Sequence, residues 1–308
     1  MSFGANLVTA VGVQTEKGTP ASDLIKLRAT SNNLEATAET GQSDVLNGNR
    51  FADEQHITEY TADGSIEAEV SKETIKIILE HAIGGSFDDE TGVGVFKPSQ
   101  TLNKWLTFLK FMTDVNYHEL FTDCRINQLT LNIVSRSVLT YSLDIMGIKG
   151  EAAAGPYTGN INPNTGGKLF AWDVNVIWDN DISSIVEELT ITHNNNIDGN
   201  DYGLYRERQS LDAQDSEHTF SLSTKIDASL FADMKNDLKQ GNVITGVTIN
   251  IGKASDGTTP FLSIHYPKVK LTQVSAPVGS RGRITADIEA IALWDDQEDT
   301  NVIITLTE

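Results

Sequence analysis

The sequence predicts a mainly β chain made of two similar domains in tandem, each with one short helix and one long polar loop. Three observations carry this. The second half repeats the order of events of the first: a strand ending in an Asn-rich turn, a long polar loop with an Arg, a strand running into one short helix, and then alternating strands. Most apolar stretches alternate with a period of two rather than 3.6. At 308 residues and 39% hydrophobic content, the chain is long enough for two domains, each with its own core. A duplicated unit also bears on assembly, because an n-fold ring of such chains presents 2n similar units.

Residues 1–23 contain Gly18-Thr19-Pro20 and read as an irregular N-terminal extension. The first domain, 24–150, opens with a strand from Leu24 to Thr30, ended by Ser31-Asn32-Asn33. Glu35 to Asp63 is polar and acidic, with Gly41, Gly48 and Arg50, and reads as a long loop of the kind that is usually functional. Ile66, Ala68 and Val70 alternate with Ser65, Glu67 and Glu69, the pattern of a half-buried strand. Ser71 then caps a helix with Ile75, Ile78, Leu79 and Ala82 on one face, stopped by Gly84-Gly85. Ser86 to Gln100 reads as a second polar loop. Lys104 to Met112 reads as a strand on its bulky β-formers, and Arg125–Val134 with Val138–Met146 as a hairpin across Ser135-Arg136-Ser137.

Residues 151–168, rich in Gly, Ala, Pro and Asn, are the linker candidate, and 169–308 the second domain. There, Leu169–Trp178 and Glu187–Thr192 are strands, and Asn194-Asn195-Asn196 is the counterpart of Asn32-Asn33. Asp198–Glu217 is the second long loop, with Arg206 standing roughly where Arg50 stands. Thr219–Ser223 leads to a helix over Asp227–Leu238, stopped by Gly241. Strands at Val243–Ile251, Leu262–Leu271, Arg283–Ala292 and Val302–Leu306 close the chain.

Forty-three acidic against 23 basic residues give a net charge of -20, which excludes a nucleic-acid groove built on counterion release. The single cysteine, Cys124, forms no internal disulfide, fits a reducing compartment, and reads as a small core residue. Met1 to Ala5 carries no basic region, and no apolar run is long enough for a membrane-spanning helix.

Candidate chemistry is sparse. Glu67 and Glu69 share one side of a strand like paired carboxylates, but no nucleophile or orienting group stands near them in sequence. The six histidines lack HxxxH or HExxH spacing, and no cofactor or metal is expected. Asn194 to Gly199 loosely resembles the start of a calcium loop, but Tyr205 occupies the place of its bidentate acid. Gly92-Val93-Gly94 lacks the rest of a phosphate-loop fingerprint. The sequence thus points away from an enzyme. More informative are the polar strand faces: Ser65, Glu67, Glu69 and Thr140, Ser142, Asp144 in the first half, Thr219, Ser221, Ser223 and Thr285, Asp287, Glu289 in the second. Hydroxyls and carboxylates without cations would make both faces acidic.

With these residues in view, the chain resembles the major tail tube proteins of long-tailed bacteriophages. The likeness lies in Glu16-Lys17-Gly18-Thr19-Pro20, Leu27 to Leu34, Arg50, Gly64 to Ser71, Phe121 to Ile133 and Leu189 to Asn195. Asp123-Cys124 stands where that family would have a Gly, and Ile191-Thr192-His193 lacks the more usual Asp before the Asn pair. The resemblance implies two tandem β-sandwich or split-barrel tube domains, each with a flanking helix. It also implies a virion tail component, assembled in the host cytoplasm, that stacks as rings into a hollow tube. A trimer with pseudo-sixfold symmetry or a hexamer would make each ring. Glu67, Glu69, Asp144, Asp287 and Glu289 are the expected lumen-facing residues. DNA would pass without being bound, and a tape-measure protein and tail terminator and tip proteins are the expected partners. The alternative is a two-domain β-sandwich binding module, such as an adhesin or carbohydrate-binding protein. It would need exposed aromatic platforms, whereas Trp105, Trp172 and Trp178 lie in apolar strand patterns that favour burial.

Overall fold

The period-two stretches become strands. In the computed structural model, residues 4–42, 55–88, 90–99, 102–178, 180–182, 185–278 and 284–308 are described; Arg50 lies outside them. Five strands, β1 (Leu7–Val13), β2 (Asp23–Lys26), β3 (Ala29–Asn32), β4 (Glu35–Gln42) and β5 (Gln55–Glu69), precede helix α1 (Thr74–Ala82). Then come β6 (Ser86–Asp88), β7 (Val93–Phe96), β8 (Leu106–Met112), β9 (Tyr117–Val134), β10 (Thr140–Ala154) and β11 (Asn160–Asn162). The second half holds β12 (Val174–Trp178), β13 (Asn180–Asp181), β14 (Val186–Asn194) and β15 (Glu217–Lys225), then helix α2 (Ala228–Gln240). It ends with β16 (Val243–Ile251), β17 (Leu262–Ser275), β18 (Thr285–Leu293) and β19 (Ile303–Thr307). All 19 strands belong to one mixed sheet, in which β2–β11 is the parallel pair among the described residues.

Both helices sit where the sequence puts them, but they pack differently. Ile75, Ile78, Leu79 and Ala82 of α1 are fully buried, and Gly84 and Gly85 end it at φ 106° and 87°. Ser71 stands three residues before the helix proper, which starts at Thr74: its hydroxyl donates to Asn164 Oδ1 at 2.7 Å and accepts from the Glu73 amide at 3.4 Å. On α2, Asp227 caps the N-terminus by accepting from the Ser229 and Leu230 amides, each at 3.1 Å, and Gly241 closes it in the left-handed region at φ 69°. Only Met234 of α2 is buried, so this helix lies on the outside, against β17.

Several segments expected to be irregular are strands. Leu7–Val13, placed in the N-terminal extension, is β1 and pairs with β8 along its whole length. The long loop over Glu35–Asp63 is largely a hairpin of β4 and β5, paired from Glu35↔Asp63 to Gln42↔Gln55. Its first strand is almost wholly exposed, so neither face needs large apolar residues, and the small Ala36 and Ala38 are all that alternates in it. Ser86–Gln100 contains the β6–β7 hairpin. The linker candidate begins inside β10, which runs to Ala154, and includes β11.

The two halves repeat one another in register as well as in order. In the β9–β10 hairpin, Asp144 faces Gln128 and a bulge follows, leaving Asn127 as the extra residue; in β17–β18, Glu289 faces Gln273 and the bulge leaves Thr272. A second bulge falls at matching places, beside Ala68 and Glu67 on β5 and beside Thr224 and Ser223 on β15. This register corrects the expected match of Asn32-Asn33 with Asn194-Asn195. The two bulges align Asn32 and Asn33 with Leu189 and Thr190, inside β14 rather than in the turn after it.

Among the described residues, the two expected cores are joined into one. From Gln128↔Asn194 to Val134↔Glu188, β9 of the first half pairs with β14 of the second. Under that ladder one apolar cluster runs from Ile66, Leu79 and Leu131 to Phe220, Tyr266 and Ile288. Continuity of the backbone ladder makes the cores continuous.

Candidate functional site

Because the ladder crosses from one half to the other, the polar faces expected of each half are one surface. Strands β5, β10, β9, β14, β15, β18 and β17 lie side by side, and residues directly opposite one another share a face. One row across it reads Glu69, Thr140, Asn132, Thr190, Ser221, Glu289, Gln273. The next reads Glu67, Ser142, Thr130, Thr192, Thr219, and a third Ser65, Asp144, Gln128, Asn194, Glu217. At the other end Val134, Glu188, Ser223, Asp287 and Ser275 line up. All five residues singled out by sequence, Glu67, Glu69, Asp144, Asp287 and Glu289, therefore sit on this one face. Glu188, Glu217 and the middle strip of Gln128, Thr130, Asn132, Thr190 and Thr192 belong with them and were not singled out. Their signal was present: Leu129, Leu131 and Ile133, like Leu189, Ile191 and His193, alternate with them.

The face is acidic but not bare of cations. Lys225 and Lys270 also lie on it. Lys168 Nζ stands 2.6 Å from Glu69 Oε2, so the Glu69 charge is locally compensated, against the expectation of a cation-free face. Asp144 accepts from Asn127 Nδ2 at 2.9 Å and Asp287 from the Ser223 hydroxyl at 3.0 Å, which holds these carboxylates in place. Glu67 and Glu289 are exposed.

Beneath the face, where alternation would put aliphatic residues, lies a buried imidazole pair. His193 and His218 are 2% and 1% exposed. Asn195 Nδ2 donates to Ala82 O and Ile126 O, at 2.7 and 2.9 Å, which leaves its Oδ1 to accept from His193 Nε2 at 3.1 Å. His193 Nδ1 then accepts from His218 Nδ1 at 3.3 Å, and His218 Nε2 accepts from the Tyr266 hydroxyl at 3.0 Å. With both rings neutral this arrangement satisfies every ring nitrogen, whereas two protonated rings would set N–H against N–H between them. Burial holds His193 down to about 4 and His218 well below the usual histidine value, the facing ring adding to the second shift.

At one end of the face, Asp198–Glu217 is tied to the first half rather than left loose. Arg208, 7% exposed, pairs with Asp63 through both nitrogens, at 2.5 and 2.7 Å, and Arg125 donates to Leu211 O while stacking over Trp105. Arg206, expected to match Arg50, is exposed. Asp123 shows why a glycine would suit its place: its φ is 56°, a left-handed value. Its carboxylate takes up the constraint usefully, accepting from Gln14 Nε2 at 2.9 Å and the Gly18 amide at 2.7 Å. Cys124 beside it is fully buried. Trp178 is buried, but Trp172, expected to be, is 67% exposed and stacks on Phe170 at 4.2 Å between centroids. It sits in a single 3-10 turn before β12, where the strand pattern does not apply.

The family model for phage tail tube protein matches residues 4–292. The chain belongs to that family. A tail tube protein is a structural, non-enzymatic component of the virion tail that self-assembles into the tube, and this one is mainly β. No curated protein matches the chain. Among solved structures, a type VI secretion system effector from Yersinia pestis is similar at 17% identity, with 44% of this chain and all of that one covered. Its TM-score of 0.22 is too low to inform the fold.

Proposed function

We propose that the polar face of the seven-strand sheet lines the bore of the tube and that three copies close a ring of pseudo-sixfold symmetry. The observation that supports this is the continuity of the face across β9–β14: both halves offer their polar strands to the same side of one sheet, which suits a chain that supplies two adjacent sectors. A bore lined by Glu67, Asp144, Glu188, Asp287, Glu289 and hydroxyls repels DNA phosphates without gripping them, so DNA slides rather than binds. Each half then acts as one tube domain, with a tape-measure protein guided through the bore during assembly and tail terminator and tip proteins as the further partners.

Ring stacking follows from the two ends of the face. The β4–β5 hairpin and the segment 198–216 lie at the end bearing Asp144 and Asn194. At the opposite end, a groove of about 850 Å³ is lined by Val134, Arg136, Trp172, Glu187, Glu188 and Lys225. Head-to-tail stacking sets one end against the other.

Electron microscopy of the purified protein tests the ring: threefold averages with a central bore support it, and sixfold rings of whole chains refute the stoichiometry. Replacing Glu67, Asp144, Asp287 and Glu289 with Lys moves the formal charge from -20 to -12, each reversal adding two. DNA ejection from particles carrying these changes is expected to slow or stall, and unchanged ejection would exclude this face from the bore.

A further inference from the structure

The pseudo-sixfold ring leaves one contact unspecified, the junction between neighbouring copies, and the internal repeat specifies it. The bulges align β9 with β17 at a constant offset, Gln128 with Gln273 and Leu129 with Val274, and align Ser31, Asn32 and Asn33 with Glu188, Leu189 and Thr190 of β14. The first half thus pairs through β9 with β14, while the counterparts of those two strands stand at the two margins of the polar face. Among the described residues, the ladder between β16 and β17 stops at Val243↔Lys270, and β3 and β4 have β5 as their ladder partner.

Resting on the ring reading above, we infer that β17 of one copy and its continuation pair with Asn32–Thr37 of the next, in the register of the internal seam. Gln273 then faces Thr37, Val274 faces Ala36, Ser275 faces Glu35, Ala276 faces Leu34, and Val278 faces Asn32.

Three observations on separate residues agree. Odd-numbered residues of β9 and β14 point their backbone into the seam, as the bonds from the Ser135 amide to Glu187 O and from the Asn195 amide to Asn127 O require. The corresponding residues at the margins are Val274 and Ala276 on one side and Leu34 and Ala36 on the other. Two of their carbonyls are held by lysines within the chain: Lys110 donates to Leu34 O at 3.0 Å, and Lys235 donates to Val274 O. The Leu34 amide is met by the Asn32 side chain at 3.0 Å. These are edge groups covered by side chains, the arrangement that keeps a sheet margin from pairing indiscriminately, and a neighbour's ladder would displace them. Pro277, which lacks an amide hydrogen, matches Asn132, an even-numbered residue whose amide faces away from the seam, so it does not interrupt the junction. Finally, Ile133 is 5% exposed in the seam, whereas its counterpart Val278 is 68% exposed and would be covered by the neighbour.

The test uses disulfide trapping in assembled tubes. In the seam, Thr130 and Thr192 match Ser275 and Glu35, and their hydroxyl oxygens lie 3.4 Å apart, close enough that cysteines there would join. Chains carrying Ser275→Cys mixed with chains carrying Glu35→Cys are expected to give a disulfide-linked dimer on oxidation of tubes, while Ser275→Cys with Thr37→Cys, two residues out of register, gives none. Cys124 is buried and stays out of the reaction. Should the variants assemble poorly, hydrogen exchange on the unaltered protein reads the same contact: the Ala36 and Ala276 amides are expected to slow by at least about tenfold in tubes relative to free subunits. Tubes lacking the disulfide, or showing the shifted one equally, or unchanged exchange at both amides, overturn the junction and leave the tube assignment intact. Sixfold rings of whole chains would refute the ring reading and the junction with it.

Discussion

Acidification of the free subunit is expected to destabilise it through the imidazole pair, well before most carboxylates titrate. The hydrogen-bond chain from Tyr266 through His218 and His193 to Asn195 is complete with both rings neutral; a proton on either one puts a charge inside the core, and protons on both set two N–H donors face to face. The sign follows from the lowered values. The unfolded chain takes up protons near 6.5 and the folded chain does not, so stability is full above about pH 7 and falls as the pH drops below 6.5. It stops falling only below the folded value of about 4. For His193 alone, the proton affinities at 6.5 and about 4 give a loss of about 2 kcal/mol between pH 7.5 and pH 5. His218 adds to it in the same direction. Urea unfolding of the free subunit followed by tryptophan fluorescence at a series of pH values measures the slope. The double variant His193→Leu, His218→Phe removes both titrations while keeping the carboxylates. It is expected to be weaker at pH 7.5 yet to lose about 2 kcal/mol less, or better, on going to pH 5. If wild type and variant show the same slope, the neutral-pair reading is wrong.

Three further perturbations separate local roles. Arg208→Met removes the grip of the 198–216 segment on Asp63, and because that carboxylate is 37% exposed the cost is expected at about 2 kcal/mol, below that of a fully buried pair, in the same urea assay. Gly64→Ala places a Cβ 2.4 Å from Asn33 O at φ 154°, so a loss of about 3 kcal/mol and disrupted β3–β5 pairing are expected, visible as lost amide protection at Asn33. Asp227→Ala is expected to speed exchange of the Ser229 and Leu230 amides with little effect on α1, and Asp227→Asn to restore most of the protection, since the amide oxygen still accepts.

Local chemistry was legible wherever a residue's role depends on its sequence neighbours. Gly84-Gly85 and Asp227 with Gly241 mark helix ends by backbone conformation and capping. Val243–Ile251 is a strand with the bounds its alternation shows, and the β9–β10 hairpin is visible in two alternating runs around Ser135-Arg136-Ser137. The carboxylates of the acidic face were legible too, because a strand with one buried side advertises the other. What escaped were segments without a buried side, such as β4, and places where a polar residue serves the core. His193 and His218 look like surface residues until the fold sets their rings against each other and brings Tyr266, 48 residues beyond His218, to them.

The duplication, the net charge and the alternation of Glu67, Asp144, Asp287 and Glu289 with apolar neighbours are properties of the chain as written, since period, composition and order survive without knowing what pairs with what. Which strands meet is a different matter. Nothing local to β9 or β14 selects them as partners, because a period-two strand fits any neighbour of matching pattern. Their choice emerges from bulges, turns and packing acting over the whole chain. That choice merges two expected domains into one sheet and turns two acidic faces into one.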